Sequence, residues 1–385
     1  MTRLSLLTYS LAAALLCYGV FLFLLGPCLT AIAETYDVPL GRLGLIFTFF
    51  SLGLIPSVLI SGYLAEVIGR RFIILAALLL LAASSVLFAA VPSFGPHPSF
   101  ALALGISILI GLGGGGIETI TNVVIADDNH PSPGFALNAS HAFFAVGAVL
   151  GPLGAAAVLR AQLPWQLGFY GASALFIIVF FLLLPQPMPA SRGEPFTPGA
   201  ALGLLRSPLI WLLLGVMALY VGTEVGLTTW VSPLMENVIG SPRGLAGTAV
   251  SAFWLLVIVG RLGISPAAAR FRPAPLILIL ASGSALAGFA LAFSRTAVEC
   301  LLASAAAGLF MSGIFALIVT DAAHHFPTRR GPVFGLMFVG IGLGALIFPA
   351  LMGLVADRTG LRAAMLIPPA LLLPVVATYL LRRTR

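Results

Sequence analysis

The sequence predicts an all-α membrane protein, with twelve transmembrane helices in two pseudo-symmetric bundles of six. Three observations predict it. Of 385 residues, 60% are hydrophobic and only 8% are charged, whereas a soluble domain is about a quarter charged. Apolar stretches recur at 5–33, 43–65, 72–91, 99–126, 136–159, 166–185, 208–237, 245–263, 274–293, 297–323, 332–355 and 363–381. Each is near or above the ~20 residues that a helix needs to cross a bilayer. The two halves also resemble each other. "GAVLGP" (147–152) recurs 197 residues on as "GALIFP" (344–349), and at the same offset "GLGGGG" (111–116) meets "GLFMSG" (308–313). Parallel repeats of six helices place a binding site between them, near the membrane midplane.

The first apolar stretch begins near Leu4. It is long for a signal-peptide core and is followed by no small-residue cleavage site, so it reads as a retained helix. The formal charge of +7 comes from arginine alone, because the chain has no lysine. These arginines stand at the ends of apolar stretches. They therefore report topology and give no sign of a nucleic-acid partner. With the N-terminus in the cytoplasm, thirteen arginines fall inside and six outside. Both termini are thus expected to be cytoplasmic, in a multi-pass protein of the inner or plasma membrane. The polar stretch "PQPMPASRGEPFTPG" (185–199) divides the helices six and six. Residues 1–185 and 208–385 are expected to form the two bundles, with 186–207 a cytoplasmic linker whose prolines and glycines suit flexibility. Cys17, Cys28 and Cys300 lie in or at the start of apolar stretches and show no metal-type spacing, which argues against a disulfide framework. No cofactor or metal is expected, and the chain is expected to act as a monomer.

Acids inside the stretches are few. Glu118 and Glu224 sit well within their helices. A carboxylate at the bilayer centre costs at least ~2.5 kcal/mol on insertion scales, so its presence argues for a function. Glu118 and Asn122 are four apart and share a helical face, which Gly111 and Gly115 continue as a close-packing surface. On the next helix Asn138 and His141 share a face, while Gly147, Gly151 and Gly154 form another. Counted from their helix ends, Glu118 and His141 are both ~10 Å deep, so they can meet. The seventh helix lines up Tyr220, Glu224 and Thr228, followed by Trp230; the eighth carries Phe253, Trp254 and Arg261. Aromatic faces beside carboxylates and amides suit a sugar, whose C–H faces stack on rings while its hydroxyls take hydrogen bonds.

Outside the membrane the sharpest motif is "GYLAEVIGRR" (62–71), whose Gly-x-x-x-acid-x-x-Gly-x-Arg frame returns in "GLVADRTGLR" (353–362). Gly62, Glu66, Gly69, Arg70 and Arg71 are candidates for a conformational latch, with Arg261 at the cytoplasmic end of its helix as a further gating residue. A plain positive-inside anchor would account for the arginines but not for glycines and an acid at fixed spacing.

On these residues the chain resembles the major facilitator superfamily over essentially its whole length. "GYLAEVIGRR" is similar to that superfamily's Gly-x-x-x-Asp-Arg-x-Gly-Arg-Arg signature, with Glu66 in place of the aspartate and Val67 in place of the following basic residue. "GAVLGPLGA" resembles the Gly-Pro motif of the fifth helix. "GIETITN" resembles the Leu-Glu-Thr-Ala-Ala-Asn segment of fucose:proton symporters, with Glu118 and Asn122 on its acid and amide. That resemblance implies proton coupling through Glu118. Asn138 matches in the fifth helix. His141 stands where the fucose symporters carry a sugar-binding glutamine and glucose-type members carry histidine. The first helix, "CYGVFLFLLGPCLTAIAE", departs from the pattern: it offers no acid before Glu34, where the fucose symporters carry an aspartate. A two-carboxylate relay within the N-terminal half is therefore not expected.

Together these residues predict a secondary transporter that moves a monosaccharide with a proton by alternating access. Glu118 would couple the proton, and Asn122, Asn138, His141, Glu224, Trp230 and Trp254 would bind the solute. The competing reading is a proton-driven exporter of amphipathic compounds, which shares the fold and the Gly-Pro motif. An enzyme is not supported. His324 and His325 are adjacent and so point to different sides of a helix, and no acid stands at zinc-type spacing. "GLGGGG" is no phosphate loop, because no Lys-Ser/Thr follows it.

Overall fold

The computed structural model describes residues 5–127, 133–189, 203–326 and 330–383. They form helices α1 (Leu6–Tyr36), α2 (Gly44–Leu64), α3 (Arg70–Ala90), α4 (Phe100–Asp127), α5 (Pro133–Arg160), α6 (Gln166–Leu183), α7 (Pro208–Asn237), α8 (Arg243–Arg270), α9 (Pro273–Phe293), α10 (Ala297–Met311), α11 (Ile314–His325), α12 (Arg330–Thr359), α13 (Leu361–Ala364) and α14 (Ile367–Arg383). Eleven stretches are long and apolar enough to cross a membrane, and one of them covers 54 residues, Leu40–Ser93. At 1.5 Å per residue that stretch would be about 80 Å long, far more than a ~30 Å hydrocarbon core. The chain turns back within it. The last turn of α2 widens into a five-residue π-helix, Ala65–Gly69, and Gly69 takes φ 98° before α3 begins. A left-handed backbone of this kind is open to glycine at little cost. The stretch is therefore two spans, which brings the described spans to twelve.

Two boundaries differ from the sequence reading. Helix α8 does not stop near residue 263 but continues to Arg270. The tenth stretch is not one helix: Ser312 and Gly313 separate α10 from α11, and the Ser312 hydroxyl donates to the carbonyl of Leu309 at 2.7 Å. A side-chain bond to the backbone offers the chain an alternative to the helical ladder at that point.

Glycine brings the helices of each bundle together. A Cβ at Gly111 would collide with the carbonyl oxygen of Phe50 in α2, and one at Gly147 with that of Leu16 in α1. The neighbouring glycines serve other partners: Gly113 and Gly116 meet Leu81 and Ala77 of α3, and Gly114 meets the ring of Tyr18. The "GLGGGG" run thus lets α4 touch three helices at once, as small residues do where no hydrophobic drive separates helix from lipid.

Buried apolar residues form one cluster from Leu11 to Leu183 and a second from Leu204 to Tyr379, the second taking in Ala145 and Ala148 of α5. Many large apolar side chains point outward, among them Leu262, Leu286, Phe293 and Leu302, as lipid contact requires. Where the bundles meet, α5 packs on α8, α2 on α12 and α1 on α7. Hydrogen bonds cross this seam from the Thr48 hydroxyl to Leu346 O (2.7 Å), Ser251 to Val149 O (2.9 Å), Arg160 to Gly244 O (2.9 Å) and Gly41 N to the Asp357 carboxylate (2.9 Å). Asn237 donates across it to Thr30 at 3.1 Å, and Arg243 pairs with Glu34. These hydrogen bonds and the ion pair lie toward the side of the bundles away from the chain termini, here called the distal side.

Candidate functional site

At the centre of the seam is a cavity of about 170 Å³. Its walls are largely aromatic: Tyr18 and Phe23 of α1, Phe50 of α2, Phe144 of α5, Trp254 of α8 and Phe315 of α11. The Trp254 ring meets Phe23 edge-on, with centroids 4.6 Å apart, and Phe144 at 6.0 Å. Into this apolar frame four ionisable side chains project: Glu118, His141, Glu224 and Arg261. They come from four helices, two in each bundle, so the tertiary fold alone brings them together.

The N-terminal wall is organised around Asn122. Its amide nitrogen donates to the Glu118 carbonyl one turn back (2.9 Å), and its amide oxygen lies 2.9 Å from His141 Nε2. The histidine is thereby held at a fixed angle beside the cavity. Asn122 itself does not line the cavity; it reaches it through the imidazole. The Glu118 carboxyl has no hydrogen-bond or ion-pair partner among the described residues. On the C-terminal wall the Tyr220 hydroxyl donates to Glu224 Oε2 at 2.5 Å, the short separation typical of a charge-assisted bond. The Thr228 hydroxyl continues that stripe and donates to Glu224 O at 2.8 Å.

Two candidates are placed differently from the sequence reading. Trp230 is fully buried in the C-terminal core and is not part of the cavity wall. The stripe of Tyr220, Glu224 and Thr228 turns toward the seam, and at 3.6 residues per turn a position six residues beyond Glu224 faces elsewhere. Arg261 stands on the cavity wall and not at the end of its helix, because α8 runs on for more than two further turns. It makes no hydrogen bond or ion pair among the described residues and acts electrostatically on His141 and Glu224. The side chain of Asn138 lies outside the described residues.

At the end nearest the termini, Arg70 is 6% exposed and pairs with Glu66 at 3.1 Å and with Asp127 of α4 at 2.8 Å. Arg71 leaves this group and donates to the carbonyl of Leu184 beyond α6. Gly62 faces Thr119 with room to spare, while Gly69 supplies the turn. The frame repeated at 353–362 keeps the same device, since Gly360 takes φ 94°. There, however, Asp357 caps Gly41 of the other bundle instead of an arginine.

Sequence reasoning passed over Tyr18, Asp127 and the central position of Arg261. Tyr18 lacks a motif, and because it sits 202 residues before Tyr220 and not the 197 of the sequence repeat, the repeat did not mark it.

Two six-helix bundles meeting around a central cavity that mixes aromatic walls with ionisable groups define a membrane transporter. The chain belongs to the Major Facilitator Superfamily, whose profile matches residues 11–299 and 233–385. It is 23% identical to a "Protein TsgA homolog" of Erwinia tasmaniensis over 367 residues, 95% of this chain and 90% of that one. It is also 23% identical to "Protein TsgA" of Shigella flexneri over 368 residues, with the same coverage. Among solved structures, the nucleoside transporter NupG superposes with a TM-score of 0.82 at 12% identity, covering 97% of this chain and 99% of that one. A D-xylose–proton symporter gives 0.76 at 17% identity, with 97% and 95% covered. The E. coli fucose:proton symporter gives 0.68 at 18%, with 97% and 98% covered. At these identities the structures share the fold with this chain.

Proposed function

We propose that this secondary transporter moves a monosaccharide together with a proton. The observation that carries the reading is the Glu118 carboxyl, which faces the cavity with no hydrogen-bond or ion-pair partner among the described residues, opposite the Tyr220–Glu224 pair of the other bundle. An intramembrane acid left unpartnered is costly unless it takes up a proton or a solute hydroxyl. Glu118 binds the coupling proton. His141, oriented by Asn122, together with Asn138 and Glu224 supplies hydrogen bonds, and Trp254 supplies an apolar face. Arg261 compensates whichever carboxylate is ionised. The bundles 1–185 and 208–385, joined by 186–207, rock about the cavity, with both termini in the cytoplasm. Glu66, Arg70 and Arg71 hold the cytoplasmic mouth in one state.

The cavity's size supports a small solute. At about 170 Å³ it lies below the ~300–1,000 Å³ range of drug-sized pockets. Its aromatic walls are what favour the competing reading, an exporter of amphipathic compounds. Proteoliposome uptake of labelled monosaccharides, with and without an inward proton gradient, tests the proposal, and efflux of a lipophilic dye tests its rival. Gradient-stimulated uptake of one sugar with no dye efflux is the expected result. Dye efflux without sugar counterflow would establish the exporter.

A further inference from the structure

A further carboxylate lies outside the cavity. Glu236 is the penultimate residue of α7, at the distal seam. Both of its carboxylate oxygens are shielded from solvent and neither makes a hydrogen bond of good geometry, although the Thr30 hydroxyl of α1 lies beside them. Its neighbours explain why. The next residue, Asn237, spends its amide on Thr30 of α1 (3.1 Å) and on Pro233 O (3.0 Å). Arg243, the cation that faces it from α8, is engaged by Glu34. From α1 it faces Glu34 itself, the Thr30 hydroxyl and the Cys28 thiol. One cation already engaged, one further acid, one hydroxyl and one thiol do not neutralise a charge held on oxygens shielded from water. Glu236 also lies twelve residues beyond Glu224, about 18 Å along the helix, too far to share a proton with the cavity groups.

We propose that Glu236 is a second proton-binding site, and that its protonation favours the arrangement in which the distal seam is closed. An ionised carboxylate without partners is strongly disfavoured in a buried setting, while the neutral acid gives up far less hydration. Closure of the seam, which brings Thr30 and Glu34 against α7, therefore selects the acid form. Opening lets water reach the side chain, and the ionised form then gains both hydration and the field of Arg243. Proton binding and distal closure are linked, and linkage is reciprocal. The closed form binds the proton more tightly, so the closed population rises as pH falls. The proposal rests on the rocking of the two bundles and on no property of the solute.

The test uses the full chain in lipid nanodiscs, without any sugar. Spin labels on His97→Cys and Arg295→Cys report the distal distance between bundles by pulsed electron resonance; both sites are exposed and the three native cysteines are buried. All samples carry Glu118→Gln, which removes the cavity acid assigned to the coupling proton. Between pH 8.5 and 5.5 the ratio of closed to open molecules is expected to rise at least tenfold, where one linked proton allows up to about tenfold per pH unit. Adding Glu236→Gln, the neutral mimic, is expected to hold the seam closed at both pH values. A pH response that survives Glu236→Gln, or one that is absent before it is introduced, overturns the proposal. Should Glu236→Gln not purify as a monodisperse protein, Glu236→Met carries the same test. Failure of the sugar reading leaves this result untouched, because no solute enters the experiment.

Discussion

The two bundles repeat one backbone and then diverge in chemistry. Gly111 of α4 lies against the Phe50 carbonyl of α2, and Gly308 of α10 lies against the Phe253 carbonyl of α8. Gly147 against Leu16 is answered by Gly344 against Ala218. Tyr18 and Tyr220 face the cavity from equivalent helices. The acids do not follow this symmetry. At the repeat offset of 197, Glu118 corresponds to Phe315, and at the offset of 202 that relates the two tyrosines, Glu224 corresponds to Leu22. Each bundle therefore offers one carboxylate, but from a different helix, α4 in one and α7 in the other. Packing contacts serve the same purpose in both bundles and tolerate duplication. A solute and a proton need different groups on the two sides of one cavity. The backbone follows the same divergence: α4 is continuous through its glycines, whereas α10 breaks at Ser312 and Gly313, just before Phe315.

The comparison can be broken most sharply at the acids. Glu118→Gln is expected to abolish the response of uptake to a proton gradient, at least a tenfold loss, while leaving counterflow of the solute. Glu224→Gln is expected to raise the KM for the solute and keep the gradient response. If both variants behave alike, the division of labour between the bundles is wrong. The next largest effect concerns the charged ends. Arg70→Ala removes the buried cation that pairs with Glu66 and Asp127, a change expected to cost ~2–4 kcal/mol, less than for fully buried acids because both carboxylates are partly exposed. Arg382→Ala, which removes the partner of Asp321 (2.7 Å) in the other bundle, is expected to cost less, because Tyr379 still donates to that acid. Unfolding in mixed micelles measures both. Gly111→Ala and Gly308→Ala should then cost about equally, ~1–3 kcal/mol each by forced separation of packed helices. Unequal losses would show that the two close contacts are not equivalent. The smallest effect is expected at the exposed Glu34–Arg243 pair, where Glu34→Gln should change stability by no more than ~1 kcal/mol.

Most of the fold could be read from the sequence, because each cue was local. Apolar length marked the spans, the arginines marked their ends, and the Gly-x-x-x-acid-x-x-Gly-x-Arg frame marked two turns that both use a left-handed glycine, Gly69 and Gly360. The break after Met311 was missed, because a single Ser-Gly pair does not stand out in an apolar run that already tolerates four glycines elsewhere. The candidate site was legible in part. Glu118, Asn122 and His141 could be matched by helical spacing and depth, since intrahelical geometry is regular. Trp230 was misplaced because the same regularity says which residues share a face but not which way that face turns. Arg261 was misjudged because the arginine was taken to mark a helix end, and α8 continues past it to Arg270.

By itself the sequence determined the membrane class, the twelve spans, the internal repeat and the presence of two costly intramembrane acids. These follow from hydrophobicity and from interactions between residues close in the chain. Only the tertiary structure decided that Asp127 completes the Arg70 pair, that Arg261 joins Glu118, His141 and Glu224 around one cavity, and that Glu236 is enclosed at the distal seam. Those contacts join residues tens to hundreds of positions apart. They depend on how far the glycine faces let the helices approach and how each helix is rotated when it does, and no local pattern carries that information.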